Sequence, residues 1–194
     1  MRKYAESYYD NLLSLIKSIR VTDKEGNELN FYHGIEMAAK LVISQVDYGH
    51  KIMFIGNGAS AAISSHMAAD FWGNGRMRAI AFNDSSLLTS VSNDFGYKHV
   101  FEKPIEMFAD SSDILFAISS SGESENILLG VRSVRLKECK VITLSGFDKD
   151  NPLSSLGDYN FYVPSHSYGP VEIYHHSICH CILNTIMQHK KNNV

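Results

Sequence analysis

Cysteine and proline are scarce in this sequence, and their scarcity excludes several classes of protein. The three cysteines, Cys139, Cys179 and Cys181, form an odd set without CxxC spacing, so neither a disulfide framework nor a cysteine zinc site is indicated. Only four prolines are present, and no linker rich in proline and glycine divides the 194 residues. No internal repeat or low-complexity stretch occurs. These absences predict one domain in a reducing, cytoplasmic environment.

Strong charge and long apolar runs are also missing. The formal net charge of -3 gives no electrostatic reason to expect nucleic acid as a partner. No stretch approaches the length that spans a bilayer, and the amphipathic N-terminus does not resemble a signal peptide, so we expect no membrane association. The chain lacks GxxxxGK[ST] and has no GxGxxG after a strand, so nucleotide triphosphates and dinucleotides have no motif support.

Short apolar runs alternate with helix-compatible segments along most of the chain. Helical spacing over residues 8–19 and 34–46, with a polar break at 22–28, predicts two opening helices. Apolar runs at 51–55, 78–82, 113–118, 140–144 and 159–163 predict five strands. Helices are predicted between them at 60–71, 86–92, 124–136 and 152–156, with a last helix at 171–189. This alternation predicts an α/β fold, a three-layer, doubly wound, five-stranded parallel sheet with added N-terminal helices.

A serine-rich turn follows the third of these strands. Ser119, Ser120, Ser121 and Ser124 lie between a strand and a helix, so their hydroxyls join the unpaired N–H groups of a helix N-terminus. Such a turn suits a phosphate monoester. The alternative is that one serine caps the helix and the others only fill the loop.

Histidine and carboxylate side chains recur at helical spacing in two places. His66 and Asp70 share one helix face, and Glu172, His176 and His180 follow at steps of four on the last helix. Such groups bind a divalent metal, most often zinc, or act as general acid and base. The alternative is that His66 and Asp70 form only a local pair on the protein surface.

The neighbouring residues of the last helix have simpler interpretations. His175 and His176 can be solvated or capping residues. Cys179 and Cys181 point to opposite sides of a helix, so we interpret them as packing residues rather than metal ligands.

Five motifs together resemble the sugar isomerase (SIS) domain family, and within it the phosphoheptose isomerases. The resemblance covers nearly the whole chain and rests on Gly56-Asn-Gly-Ala-Ser60, Ser64-Ser-His66-Met-Ala-Ala-Asp70, Ser92-Asn-Asp94-Phe-Gly96, Ile118-Ser-Ser-Ser-Gly-Glu-Ser124 and Tyr168-Gly-Pro-Val-Glu172-Ile-Tyr-His175 followed by His180. It implies a flavodoxin-like SIS domain over 1–194, with 1–48 as oligomerisation helices and 49–194 as the α/β core. It also implies conversion of sedoheptulose 7-phosphate to D-glycero-D-manno-heptose 7-phosphate, for bacterial glycan precursors.

The resemblance further implies roles for individual residues. Substrate contacts fall on the serine turn, including backbone donors near Ser120, and on Asn57, Gly58, Ser60, Asp94 and Glu172. Zinc, one ion per site, falls on His66, Asp70, Glu172 and His180, with Asp70 as catalytic base and His180 as acid. The family commonly forms homotetramers with sites between subunits.

Two residues depart from the usual family pattern. Asp70 stands where these isomerases carry glutamate, and aspartate is one methylene shorter. Glu172 replaces a frequent glutamine, and its added negative charge favours a bound cation. Two alternatives stay open on the sequence: a noncatalytic SIS module resembling the DnaA initiator-associating protein, and an isomerase of another sugar phosphate.

Overall fold

One seven-stranded sheet runs through the protein, whose computed structural model describes residues 1–192. The strand order is β2-β1-β7-β6-β5-β3-β4. Strands β3 to β7 are parallel to one another, whereas β1 pairs antiparallel with both β2 and β7. The strands are β1 Arg20–Asp23, β2 Glu28–Leu29, β3 Ile52–Gly56, β4 Ala79–Ala81, β5 Ile114–Ser119, β6 Lys140–Gly146 and β7 Tyr159–Val163.

Seven α-helices flank this sheet. They are α1 Arg2–Leu15, α2 Phe31–Val46, α3 Ala59–Gly73, α4 Ser85–Phe95, α5 Glu102–Phe108, α6 Glu125–Leu136 and α7 Tyr168–Asn192, all within the described part of the chain. Helices α2, α3 and α7 cover one face, and α5 and α6 cover the other. The predicted three-layer fold is therefore confirmed.

Burial on both faces explains why the parallel strands read as continuous apolar runs. In β3, Ile52 and Phe54 belong to the core under α3 and α7, while Met53 and Ile55 belong to the core under α6. All four side chains are fully buried. A strand covered by helices on both sides has no solvent face on which polar residues could alternate.

The structure corrects the predicted sheet at one edge. The polar break at 22–28 is part of a β-hairpin, so the sheet has two antiparallel strands beyond the five predicted. Asp23 shapes the turn by accepting hydrogen bonds from the backbone N–H groups of Glu25 and Asn27, at 3.0 and 2.8 Å. Strand β1 buries only Val21, so its sequence has no apolar pattern from which a strand could be predicted.

Two further segments differ from the predicted helices. The sequence pattern predicts no helix at 97–108, but the structure has two there, a 3-10 helix at Tyr97–His99 and helix α5. The predicted helix at 152–156 is a 3-10 helix, Pro152–Ser155, capped by the Asn151 side chain.

The two opening helices differ in how they contact the rest of the molecule. Helix α2 belongs to the core, and a Cβ on its Gly34 would lie 2.6 Å from the Val21 side chain. Helix α1 buries no residue and exposes Tyr4, Tyr9 and Leu13. Among the described residues, no helix combines the length and apolar character needed to cross a bilayer.

Candidate functional site

The site lies at the point in the sheet where consecutive strands of the chain switch from being added on one side to being added on the other. The parallel strands have the order β4-β3-β5-β6-β7, which is the flavodoxin-like order, and the reversal falls between β3 and β5. The side chains of Asn57, after β3, and Asn126, in α6, exchange two hydrogen bonds of 2.9 Å across this point. Tyr97 Oη also donates to Asn57 Oδ1 at 2.9 Å. This network joins the two turns that carry the predicted substrate contacts.

Two glycines allow α3 to begin directly against the end of β3. A Cβ on Gly56 would lie 2.5 Å from the backbone carbon and oxygen of Ser60. Gly58 precedes the helix with a φ of 53°, in the left-handed region that favours glycine. Because of this close approach, Ser60 is buried beneath the first turn of α3.

The serine turn is held in shape by its own hydroxyls. Ser119 Oγ accepts a hydrogen bond from Gly122 N at 3.1 Å and donates to Ser124 Oγ at 3.3 Å. Ser121 Oγ accepts from Glu123 N at 3.3 Å. Ser119 and Ser120 are buried, whereas Ser121 and Ser124 are half-buried. The turn thus presents its two outer hydroxyls beside the N-terminus of α6.

Gly122 is fixed in this turn by Asn151. Its φ of 67° favours glycine, and a Cβ there would lie 1.8 Å from Asn151 Oδ1. The buried Asn151 amide is held in place by hydrogen bonds of its own, because its Nδ2 donates to Ser145 Oγ and Gly146 O, both at 3.2 Å. The segment after β6 therefore supports the serine turn from behind.

Helix capping does not account for Ser124. Ser124 occupies the N-cap position of α6, yet its side chain makes no capping hydrogen bond. By contrast, Asn30 caps α2 by accepting from the N–H groups of Tyr32 and His33. The first N–H groups of α6 and the Ser124 hydroxyl thus remain donors that a phosphate can use.

The predicted acid and histidine residues of two helices converge. His66 Nε2 lies 3.3 Å from Asp70 Oδ2, and His180 Nδ1 lies 3.7 Å from the same oxygen. The His66 and His180 ring centroids are 5.4 Å apart. Helices α3 and α7 therefore present a carboxylate between two imidazoles.

His176 also belongs to this cluster, although the zinc ligands implied by the family resemblance do not include it. Nitrogens of His66, His176 and His180 all lie within 4.8 Å of one another, close enough to hold a metal ion. Burial, followed by the nearby His180 and His66, lowers the pKa of His176. Its spacing of four residues from Glu172 and from His180 already indicated that the three side chains share one face of α7.

Glu172 lines the same groove as the three imidazoles. The groove has a volume of about 590 Å³ and extends from Ala59, at the start of α3, to His180. It therefore starts next to Gly58 and ends at the histidine cluster. Of the predicted metal residues, His66, Asp70 and His180 are in mutual contact, and Glu172 lies nearby on the groove wall.

The alternative in which His175 is a solvated or capping residue is wrong. Its side chain is fully buried, and Nε2 donates a hydrogen bond to Ser145 O at 3.0 Å. Burial lowers its pKa to about 4. His175 lies on the core-facing stripe of α7, between Tyr174 and Ile178, and it ties this helix to the end of β6.

The cysteines of α7 point in opposite directions, as predicted, but only one of them packs in the core. Cys179 is buried, and burial raises its pKa to about 12. Cys181 is exposed, so its interpretation as a packing residue is wrong. Cys139, elsewhere in the core, is buried, and burial raises its pKa to about 11.

Asp94 is the predicted substrate residue with least support from the geometry. It lies exposed in the last turn of α4 and accepts a hydrogen bond from the neighbouring Asn93 at 2.9 Å. A hydrogen bond from this region to the site comes instead from Tyr97, which donates to Asn57. Tyr97 and Asn126 are site residues that the sequence interpretation missed.

Comparison with known proteins points to one group of relatives. A family model described as SIS domain matches residues 7–146. The phosphoheptose isomerase of Aliarcobacter butzleri is 35% identical over 162 residues, which cover 78% of this chain and 85% of that protein. The phosphoheptose isomerase structure from Neisseria gonorrhoeae matches with a TM-score of 0.82 at 26% identity, covering 95% and 97% of the two chains. The one from Francisella tularensis matches with a TM-score of 0.82 at 28% identity, covering 96% and 97%.

Proposed function

Because the chain belongs to the SIS-domain family and, within it, to the phosphoheptose isomerases, we propose that it converts sedoheptulose 7-phosphate to D-glycero-D-manno-heptose 7-phosphate. The observation that carries this proposal is that α3 starts at the sheet edge where the serine turn also lies and bears His66 and Asp70 of the histidine and carboxylate cluster. Ser60 and His66 are six residues apart on this helix, a rise of about 9 Å. That separation is comparable to the length of a seven-carbon sugar phosphate.

The serine turn holds the phosphate in this proposal. Ser119, Ser120, Ser121 and Ser124 surround the N-terminus of α6, where partial positive charge and unpaired N–H groups favour an anion. Asn57, Gly58 and Ser60 line the adjoining sugar, and Asp94 and Glu172 contact its hydroxyls. Fixing the phosphate here positions the other end of the sugar along the groove.

The reaction moves a proton between adjacent carbons through an enediol. Asp70 takes the proton from the carbon beside the carbonyl group, and His180 donates a proton to the carbonyl oxygen. In the second half the two groups exchange these roles, which returns them to their starting state. The position of Asp70 between His66 and His180 supports this pairing of base and acid.

We also propose one zinc ion per site. The donor set suits zinc, since it combines imidazoles with carboxylates and includes a buried ring nitrogen of His176 that has no hydrogen-bond partner within residues 1–192. His66, Asp70, Glu172 and His180 would hold the ion, and His180 has two ring nitrogens, so one can bind zinc while the other keeps its proton. Bound there, zinc supplies a Lewis acid for the carbonyl oxygen.

The proposed enzyme is a cytoplasmic homotetramer that supplies heptose for lipopolysaccharide, capsule or related glycans. Helix α1 supports assembly, because it buries no residue within its own chain and exposes three large apolar side chains, Tyr4, Tyr9 and Leu13. The three free cysteines fit a reducing compartment. Multi-angle light scattering of the wild type should give the mass of four chains, whereas a truncation of α1 should give a smaller assembly.

A substrate panel tests the function. The purified chain is incubated with pentose, hexose and heptose phosphates, and isomerisation is followed for each. We expect the highest kcat/KM with sedoheptulose 7-phosphate. A higher value with another sugar would reassign the substrate, and no turnover of any sugar would favour a noncatalytic SIS module.

A further inference from the structure

Three imidazoles from two helices meet in the groove, and one of them has no assigned role. The His176 ring centroid lies 4.9 Å from that of His66 and 4.6 Å from that of His180. The rings of His66 and His176 meet edge to face, whereas those of His176 and His180 are tilted by 35°. His176 is therefore as close to the other two imidazoles as they are to each other.

The spacing of these nitrogens fits a shared metal ion. Two imidazole nitrogens on one tetrahedral zinc, each about 2.05 Å from the ion, lie roughly 3.4 Å apart. The three histidines each offer a nitrogen within 4.8 Å of the others. Shifts of about 1 Å, within the reach of small side-chain rotations, would bring all three to one ion.

His175 and His176 each keep one buried ring nitrogen without a hydrogen-bond partner among the described residues, Nδ1 of His175 and Nε2 of His176. The other nitrogen of His175 donates to Ser145 O, and its ring is enclosed in the core. The His176 ring instead lies in the groove beside two other imidazoles, where a ligand can complete it. A buried polar atom without a partner is costly, and a ligand that completes it removes the cost.

Nearby carboxylates complete the electrostatic argument. Asp70 lies beside His66 and His180, and Glu172 lines the groove one turn of α7 before His176. Two carboxylates together balance the charge of a divalent cation. Carboxylates beside metal-binding histidines also orient the rings.

From this geometry we infer that His176 is a direct ligand of the metal ion, together with His66 and His180. The inference rests on the proposed function for the identity of the ion, zinc, but not for the position of the site. It adds a third imidazole to the proposed set of His66, Asp70, Glu172 and His180, so that nitrogens from two helices can fill three of the four positions around a zinc ion.

Metal binding tests the inference without reference to catalysis. The full chain, stripped with EDTA, is titrated with Zn²⁺ by calorimetry as wild type, His176→Phe and His176→Cys. Phenylalanine keeps a ring between the two other imidazoles but offers no donor, so Zn²⁺ affinity should fall at least about tenfold. Cysteine offers a thiolate, so affinity should stay close to that of the wild type. His33→Gln, on the exposed start of α2, is the control for losing a surface imidazole and should bind Zn²⁺ unchanged.

Co²⁺ substitution gives a second readout that does not depend on the folding of His176→Phe. If residue 176 is a ligand, His176→Cys loaded with Co²⁺ should gain a thiolate-to-cobalt charge-transfer band that the wild type lacks. Absence of this band, or wild-type Zn²⁺ affinity in folded His176→Phe, would overturn the inference. If zinc binds through His176 but no sugar phosphate is isomerised, the proposed function fails and the ligand assignment stands. If the chain is an active isomerase whose Zn²⁺ affinity ignores residue 176, only the ligand assignment fails.

Discussion

Replacing Ser124 with alanine should separate phosphate binding from helix capping. An N-cap serine that bonds to its helix contributes about 1 kcal/mol, within a range of 0.5–2. The Ser124 side chain makes no capping bond, and within the turn it only accepts a 3.3 Å hydrogen bond from Ser119. We therefore expect Ser124→Ala to lower the free energy of unfolding by no more than about 0.5 kcal/mol.

Activity should respond far more strongly than stability. A hydrogen bond to a charged group is worth about 1.5–3 kcal/mol, and this corresponds to a loss of roughly 10- to 150-fold in kcat/KM. The loss should appear chiefly in KM, because Ser124 contacts the phosphate and not the reacting carbons. Urea unfolding and steady-state kinetics with sedoheptulose 7-phosphate measure the two quantities on the same preparation.

Asn30→Ala is the matched control, because Asn30 does cap its helix. Its Oδ1 accepts from Tyr32 N at 3.0 Å and from His33 N at 3.4 Å. We expect this variant to lose about 1 kcal/mol of stability with kcat/KM unchanged. The opposite pattern, in which Ser124→Ala loses stability like Asn30→Ala and keeps its activity, would refute the phosphate assignment.

Three further predictions follow from the site and the core. Gly122→Ala should lower the free energy of unfolding by about 3–5 kcal/mol, because alanine is strained in the left-handed region and its Cβ would displace the buried Asn151 amide. Gly26→Ala, with φ 83° in open space, should lower it by only about 1–2 kcal/mol. Equal losses of the two variants in urea unfolding would contradict this. A thiol reagent at pH 8 should modify Cys181 in the native protein and reach the two buried cysteines only after unfolding. Because the pKa values of those buried thiols are raised to about 11 and 12, the stability they contribute is complete below their ordinary pKa of 9.0 and should be lost as pH rises through 11; flat stability over this range would speak against their burial. Asp70→Asn should lower kcat by about 100- to 10,000-fold while the protein stays folded by circular dichroism, and an undiminished rate would remove Asp70 as the base.

The parallel part of the sheet could be predicted because its central strands have a recognisable sequence pattern. The runs that became β3 and β5 are apolar at nearly every position, since helices cover both faces, and β6 is buried from its second residue onward; each of the three ends in a polar turn. The hairpin of β1 and β2 could not be found in this way. Its residues lie at the sheet edge, bury little surface, and pair through backbone hydrogen bonds that leave no trace in side-chain pattern.

From residue spacing alone, neighbouring site residues could be predicted only where they lie on the same helix. The spacing of His66 from Asp70 follows from a single helix, but the approach of α7 to α3, which brings His176 to His66, depends on tertiary packing. His175 shows the reverse case. Its place on the apolar stripe of α7 was visible in the sequence, and that stripe, rather than its polar side chain, determined its burial.

The central claim is that this chain isomerises a heptose phosphate by moving a proton through an enediol at Asp70. The most direct measurement is ¹H and ²H NMR of sedoheptulose 7-phosphate incubated with the enzyme in D₂O. The account predicts D-glycero-D-manno-heptose 7-phosphate whose C2 carries deuterium to the extent that the proton on Asp70 exchanges with D₂O, formed far more slowly by Asp70→Asn. No product beyond that of the protein-free sample, or an undiminished rate for Asp70→Asn, would contradict the account.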